Sequence, residues 1–450
     1  MLDLFISNLK QYARESNEEL GKVSFLLSFS GGIDSTVMAS LLLEMRKKHI
    51  FKFGFAHINH HAHSVSDNAE IFTSQFSNKN NVPFYNNHLY IDINRNFECC
   101  ARTKRYELLK NIAIEHSYHF ILTAHHQDDQ LETIYMKKVD GGDWISQIGI
   151  RERMGILRRP LLNISKEEIL KYANYKNLQW FDDPTNSNLN IRRNNIRLKQ
   201  LPRAINENSG LKKVLLSISK QYSTKLRKTE IKLKYDKNKV IIKQSKDHVQ
   251  INRKEIGKYE IEELKLFIYI IIGPILKIVL LQYSRAHWIG LKDFIKQSTT
   301  GSIYKIDMLT FIINRNEIIV TDKYNNMKTF NKLRLCNNLL WYSGQFKMRN
   351  KTKAVLSSSK KYFSIANSIY QDGLYIRRWK YGDRIISATS QKHVLLSDLY
   401  INNKLSKYDK LTQPVVVNAS DRIFWIPGLL HGKIDYKNKD KIKIINWVQK

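Results

Sequence analysis

Cysteine is nearly absent from this chain: three residues in 450, with Cys99 and Cys100 adjacent and Cys336 far away. No C-x-x-C pair exists, so the ligand spacing of zinc ribbons and iron–sulfur clusters is excluded. So few thiols fit a reducing compartment, and a cytoplasmic location is expected.

Acidic residues are also short. Against 74 Lys and Arg stand 41 Asp and Glu, a formal charge of +33 and a pI near 9.8. Such a field attracts polyanions, and nucleic acid, with its closely spaced phosphates, is the leading class of partner. An AT-rich genome, which raises Lys, Ile, Asn and Tyr together, is the alternative source of the lysine excess.

Long hydrophobic runs are missing as well. The greasiest stretch, Leu266 to Leu281, is shorter than the roughly 20 residues a spanning helix needs, and Gly273-Pro274 and Lys277 interrupt it. It is expected to form core helices, with no membrane association. The N-terminal stretch MLDLFISNLKQYARESNEEL reads as an amphipathic helix and lacks the apolar region and cleavage site of a signal peptide. No export is expected, and neither repeats nor long low-complexity tracts occur.

At 42% hydrophobic content over 450 residues, the chain can bury a core in two to four domains. From Val23 to about Ala124 short apolar runs (VSFLLSF, FKFGFAH, FILTA) alternate with amphipathic segments. That pattern predicts an α/β fold with a doubly wound parallel sheet. Ser165-x-x-Glu168 is a capping box that starts a further helix, ending near Asn177. A basic segment, IRRNNIRLKQLPR, leads to a boundary near Arg203. Three domains are expected: 1–203, a mostly helical middle domain over 204–345, and a small α+β domain over 346–450 with β-rich patches such as QPVVVNA and RIFWIPG.

The chemistry is carried by Ser30-Gly31-Gly32-Ile33-Asp34-Ser35, which follows a predicted strand and opens a predicted helix. A loop at that junction is an anion site. Gly31 and Gly32 let backbone N–H groups approach phosphate oxygens, Ser30 and Ser35 add hydroxyls, and Asp34 can hold Mg²⁺ between phosphates. No G-x-x-x-x-G-K-[ST] occurs, so this is not a Walker loop. A second segment, Thr123 to Thr133, sets two histidines among acids: His125, His126, Asp128, Asp129 and Glu132. Asp129 and Glu132, three apart, share a helix face and can hold Mg²⁺ or a substrate amine. Acids in a first helical turn are also favoured by the macrodipole alone.

The S-G-G-x-D-S form resembles the PP-loop of ATP pyrophosphatases, which cleave ATP between the α- and β-phosphates. Within that superfamily the chain resembles the tRNA(Ile)-lysidine synthetase family. The segments that carry this are His57-Ile58-Asn59-His60-His61 followed by Ser66-Asp67, then Arg102 with Arg105-Tyr106, then His125 to Thr133, then Arg159-Pro160-Leu161-Leu162, Asp183-Pro184-Thr185-Asn186 and Arg193-Asn194 with Arg197. They span most of residues 20 to 205. Arg377 to Arg384, Lys392 to Leu399 and Trp425 to Gly428 look like the family's C-terminal tRNA-binding domain. Two places depart from the family's pattern. Ala62-His63 stands where Leu-Arg is usual, and Asp140-Gly141-Gly142-Asp143-Trp144 stands where an Arg-Gly turn is usual.

The resemblance implies a ligase that uses Mg²⁺ and ATP to join L-lysine to C2 of the wobble cytidine of the CAU-anticodon tRNA(Ile). It implies catalytic roles for Asp34, Asp129, Glu132, Arg102 and Arg193, with the loop from Ser30 through Ile33 to Ser35 binding ATP. Substrate contacts would come from His57, His60, His125, Asp128, Asp129 and Arg197, and Mg²⁺ would sit on Asp34 and Glu132. The middle and C-terminal domains would bind tRNA, and a homodimer is compatible with the sequence. A tRNA thiolase would need a catalytic cysteine pair, and a GMP- or NAD-synthetase type would have an amidotransferase partner and less positive charge. A non-catalytic RNA-binding protein would explain the charge but not the intact loop beside Asp129 and Glu132.

Overall fold

The computed structural model describes residues 1–59, 66–89, 97–182, 187–278, 283–325, 332–342, 344–351, 362–433 and 442–449. The chain divides into two compact units, Met1–Arg227 and Lys228–Lys450.

The first unit is built on a six-stranded sheet of order β3-β2-β1-β4-β6-β5. Its strands are β1 Ser24–Ser28, β2 Lys52–Asn59, β3 Phe84–His88, β4 Phe120–Leu122, β5 Arg153–Met154 and β6 Leu157–Arg158. All neighbouring pairs are parallel except the β5–β6 hairpin. Alternate side chains of β1, β2 and β4 feed two separate cores, which is why these strands read as continuous apolar runs. Phe25, Leu27, Phe120 and Leu122 join one core with Phe5, Leu9, Val37, Leu41 and Ile169. Leu26 and Ile121 join the other with Leu109 and Ile112. Helices α1 (Leu2–Glu15), α2 (Ile33–Arg46), α3 (Ser66–Lys79) and α6 (Lys166–Tyr175) cover the first face, and α4 (Phe97–Glu115) covers the second.

This winding positions the site. The chain steps from β1 to β2 to β3 in one direction, then returns to place β4 on the other side of β1. The loops leaving β1 and β4 therefore diverge at a topological switch point, the crevice where such sheets bind ligands. Helix α5 (Gln127–Val139) follows β4. The Ser165 box caps α6 as its spacing predicts: Glu168 N–H donates to Ser165 Oγ at 3.2 Å, and Ser165 N–H donates to Glu168 Oε2 at 2.9 Å. Beyond it come α7 (Arg192–Asn195), a π-helical turn over Ile196–Gln200, α8 (Leu201–Glu207) and the long α9 (Leu211–Val240). Leu131 and Ile134 of α5 pack on Ile196, Leu201 and Leu215, which fixes the π-turn against α5.

The second unit holds a five-stranded antiparallel sheet over 241–321, of strands Ile241–Gln244, Val249–Asn252, Ile303–Ile306, Leu309–Asn314 and Glu317–Thr321. The apolar stretch read as core forms helix Ile261–Phe267, a π-turn over Ile268–Ile272 and helix Gly273–Leu276, with Leu264, Phe267, Ile268, Ile272 and Leu276 buried. No helix among the described residues is long and apolar enough to cross a membrane. The last part is a smaller α+β region of three antiparallel sheets around Trp425, Phe346, Phe363 and Trp447.

Candidate active site

The Ser30–Ser35 segment follows the carboxyl end of β1; its loop part ends at Gly32, and Ile33, Asp34 and Ser35 form the first turn of α2. Gly31 sits at φ +83°, and a Cβ there would lie 3.1 Å from Thr73 Cγ2 and 3.2 Å from Phe72 Cδ1. Both the conformation and the close approach of α3 require glycine. Ser35 Oγ donates to the Gly32 carbonyl at 2.9 Å and lies 3.1 Å from Ser30 Oγ, while Thr36 Oγ1 donates to the Gly31 carbonyl at 3.0 Å. The loop's carbonyls are thereby held by its own hydroxyls, and the first N–H groups of α2, which have no intrahelical partner, are available to an anion.

Asp34, in the first turn of α2, accepts from Lys166 Nζ at 2.6 Å and has His126 Nε2 3.7 Å from its other oxygen. His126 caps α5: Asp128 N–H donates to its Nδ1 at 3.2 Å, and His126 N–H donates to Asp129 Oδ2 at 3.1 Å. Asp129 and Glu132 are buried, and both are gripped by arginines from the turn after Ile191. Arg193 donates to Asp129 Oδ1 at 2.9 Å and to Glu132 Oε2 at 3.1 Å. Arg197 donates to Glu132 Oε1 at 2.6 Å, Glu132 Oε2 at 3.1 Å and Asp129 Oδ1 at 3.1 Å. Burial opposes the charge on Asp129, but His126, Arg193 and the His126 N–H outweigh it and hold its carboxyl below the ordinary range. Arg197, whose charge burial opposes, is raised by its bond to Glu132.

His125 lies next to this cluster, its Nδ1 3.0 Å from Thr123 Oγ1. Burial, against the pull of Asp129 and with the help of Arg159, Arg102 and Arg193, pushes the imidazole down to about 3. It is therefore neutral at ordinary pH and surrounded by guanidinium charge. Arg102 is exposed on α4, its guanidinium 5.7 Å from the Tyr106 ring, and against burial the charges of Arg102, Arg159 and Arg105 hold the Tyr106 hydroxyl below its ordinary range. A cleft of about 250 Å³ is lined by His126, Asp128, Glu132, Lys166, Arg197 and Lys212 among others. A wider, open cavity of about 700 Å³ in the second unit is lined by Arg253, Lys296 and Arg315, but Arg253 is committed to the carbonyls of Ile295, Lys296 and Ser298.

Most of the residues picked from sequence thus meet: Ser30 to Ser35, His125, Asp128, Asp129, Glu132, Arg193 and Arg197 share one end of the sheet. His57 is set apart. It is buried at the end of β2, its Nδ1 donating to the Phe29 carbonyl at 2.9 Å, so it braces the start of the loop from beneath. His60, Ala62-His63 and Asp183 to Asn186 lie outside the described residues, as do the side chains of Cys99 and Cys100. At the departure from the family's Arg-Gly turn, Asp140 pairs with Arg192, and Lys225 stands 4.5 Å over the Trp144 ring. Sequence reasoning missed Lys166, which reaches Asp34 through its side chain and donates its backbone N–H to Asp128 Oδ2 at 2.7 Å. Its only local signal was its place as the first residue after the Ser165 cap.

Residues 4–204 match the PP-loop domain family. Among curated relatives, the tRNA(Ile)-lysidine synthase of Enterococcus faecalis is 31% identical over 203 residues, 44% of this chain and 44% of that protein. That of Wigglesworthia glossinidia brevipalpis is 36% identical over 208 residues, 43% of this chain and 51% of that protein. The match thus spans about half the length of these relatives. With the tRNA(Ile)-lysidine synthase of Streptococcus thermophilus it extends over 426 residues, 92% of either chain, at 26% identity. Over residues 4–204 the chain is thus similar to the PP-loop domain family, and along nine-tenths of its length it is similar to the tRNA(Ile)-lysidine synthase of Streptococcus thermophilus.

Proposed function

We propose that this chain is a tRNA(Ile)-lysidine synthetase, a ligase that joins L-lysine to C2 of the wobble cytidine of the CAU-anticodon tRNA(Ile) at the expense of ATP. The product would read AUA in place of AUG and carry isoleucine in place of methionine. The observation that carries the reading is the meeting of the Ser30–Ser35 loop with Asp129 through His126, beside Glu132, at one switch point. In the first step the cytosine C2 oxygen attacks the α-phosphate and pyrophosphate leaves. In the second the lysine amine attacks C2 and AMP leaves. The loop amides would hold the phosphates, and Asp34 supplies the hard oxygen donor that Mg²⁺ takes alongside phosphate oxygens. Bound there, Mg²⁺ would neutralise charge on the phosphates. Both oxygens of Glu132 are occupied by guanidinium groups, so Asp34 fits that ion better.

The second step needs an uncharged amine. Burial and the charges of Arg159, Arg102 and Arg193, which depress His125, would equally disfavour an ammonium held beside it and favour the uncharged amine; held that low, His125 is too weak a base to take the amine's proton and would serve to position the substrate. Asp128 or Asp129 would orient the lysine, and the basic second unit would take the tRNA, read through phosphates and splayed bases. The 1–203, 204–345 and 346–450 division assigns catalysis to the first part and tRNA binding to the others. A cytoplasmic setting suits such a substrate. The test is incubation with Mg²⁺-ATP, labelled L-lysine and tRNA(Ile) transcript bearing CAU. Label should enter tRNA(Ile) but not tRNA(Met), with AMP released. AMP release without label would leave adenylation standing and remove lysine as the nucleophile.

A further inference from the structure

The segment from Ser24 to Ser40, which contains the whole phosphate loop, has no lysine or arginine. A Walker loop carries its own lysine to the phosphates, so here a cation must come from elsewhere. The nearby arginines 193 and 197 are committed to Asp129 and Glu132. Lys166 differs, because its ammonium is bound to the loop itself, 2.6 Å from Asp34 Oδ1. Its position is fixed at the other end. The first turn of the capped helix α6 holds its backbone N–H on Asp128 Oδ2 at 2.7 Å, so Lys166 bridges the loops that leave β1 and β4. It also lines the cleft with His126 and Glu132.

We infer that Lys166 is the loop's phosphate-binding cation, parked on Asp34 and transferred to the pyrophosphate portion of ATP when Mg²⁺-ATP enters. This rests on the reading of the loop as an ATP site. The pair is about one-third exposed on both sides, and ion pairs of that kind hold weakly enough to exchange. In the exchange Asp34 takes the metal and the ammonium takes a non-bridging phosphate oxygen. Each charge keeps an opposite partner and no covalent bond changes. Charge that gathers on the departing pyrophosphate is then met by a fixed ammonium.

The test is calorimetric titration of the full chain with α,β-methylene-ATP plus Mg²⁺, and separately with AMP, for wild type, Lys166→Ala, Lys166→Gln and Lys166→Arg. Lys166→Ala is expected to weaken the triphosphate analogue at least tenfold and AMP less than twofold, with Lys166→Arg within threefold of wild type. Lys166→Gln carries the same comparison should the alanine variant not fold. Equal losses for analogue and AMP, or an unchanged analogue affinity, would overturn the inference in favour of a purely structural clip. Failure of wild type to bind the analogue would overturn the loop reading and this inference with it. Nucleotide binding without lysidine formation would remove only the proposed function, and the Lys166 comparison would still decide.

Discussion

Arg197 holds both oxygens of Glu132, with Nε 2.6 Å from Oε1 and Nη 3.1 Å from Oε2, across 65 residues of sequence. Glu132 is only 4% exposed, so its charge depends on these partners. Arg197→Met is expected to destabilise the first unit by up to about 3 kcal/mol, because a buried charge loses most of its compensation. Adding Glu132→Gln to Arg197→Met should recover part of that loss. Urea unfolding of both variants measures it, and a double variant no more stable than the single one would argue against this account.

Acid should destabilise the fold through His125. The imidazole is held down to about 3, against 6.5 ordinarily. As pH falls below 6.5 the unfolded chain takes up a proton that the folded site refuses until about 3. The unfolded state binds more protons, and stability falls across that window. His57, His248 and His431, also lowered by burial, add to the slope. The measure is therefore the difference between wild type and His125→Gln, whose stability should fall less steeply between pH 6.5 and 4. Parallel curves would show that His125 titrates normally.

Gly31→Ala forces a side chain onto φ +83° and into Thr73 and Phe72. A cost of about 1–2 kcal/mol is expected from the backbone alone, together with a loop displaced from its phosphate-binding form. Thermal unfolding reads the first effect and nucleotide titration the second. Normal nucleotide affinity in a destabilised variant would mean that the loop shape is not what binds.

Asp34→Asn should raise the Mg²⁺ concentration for half-maximal AMP release at least tenfold, since an amide is a far poorer ligand for a hard cation than a carboxylate. A magnesium titration of tRNA-dependent AMP release is the measurement, and an unmoved midpoint would place the metal elsewhere.

Asp129→Asn should raise the KM for lysine at least tenfold while leaving the KM for ATP within about threefold, as removal of a charge-assisted contact to the α-ammonium, the amine of lysine that does not attack, predicts. Steady-state kinetics with each substrate varied will decide. An unchanged KM for lysine would shift that role to Asp128.

Sequence by itself determined what depends on near neighbours. The Ser30–Ser35 turn needs glycine where φ is positive, the cap at Ser165 closes within three residues, and the apolar runs of β1, β2 and β4 announce a sheet covered on both faces. These signals are written in a turn of helix or a few residues of strand, so they survive without knowledge of the fold. What only the tertiary structure decided are pairings over long separations. Lys166 reaches Asp34 across 132 residues, Arg193 and Arg197 close on Asp129 and Glu132, and His57 turns under the loop to Phe29. These meetings arise because β4 is set beside β1 and the turn after Ile191 packs on α5. Such contacts follow from the order of strands and the filling of a shared core, which no local spacing encodes.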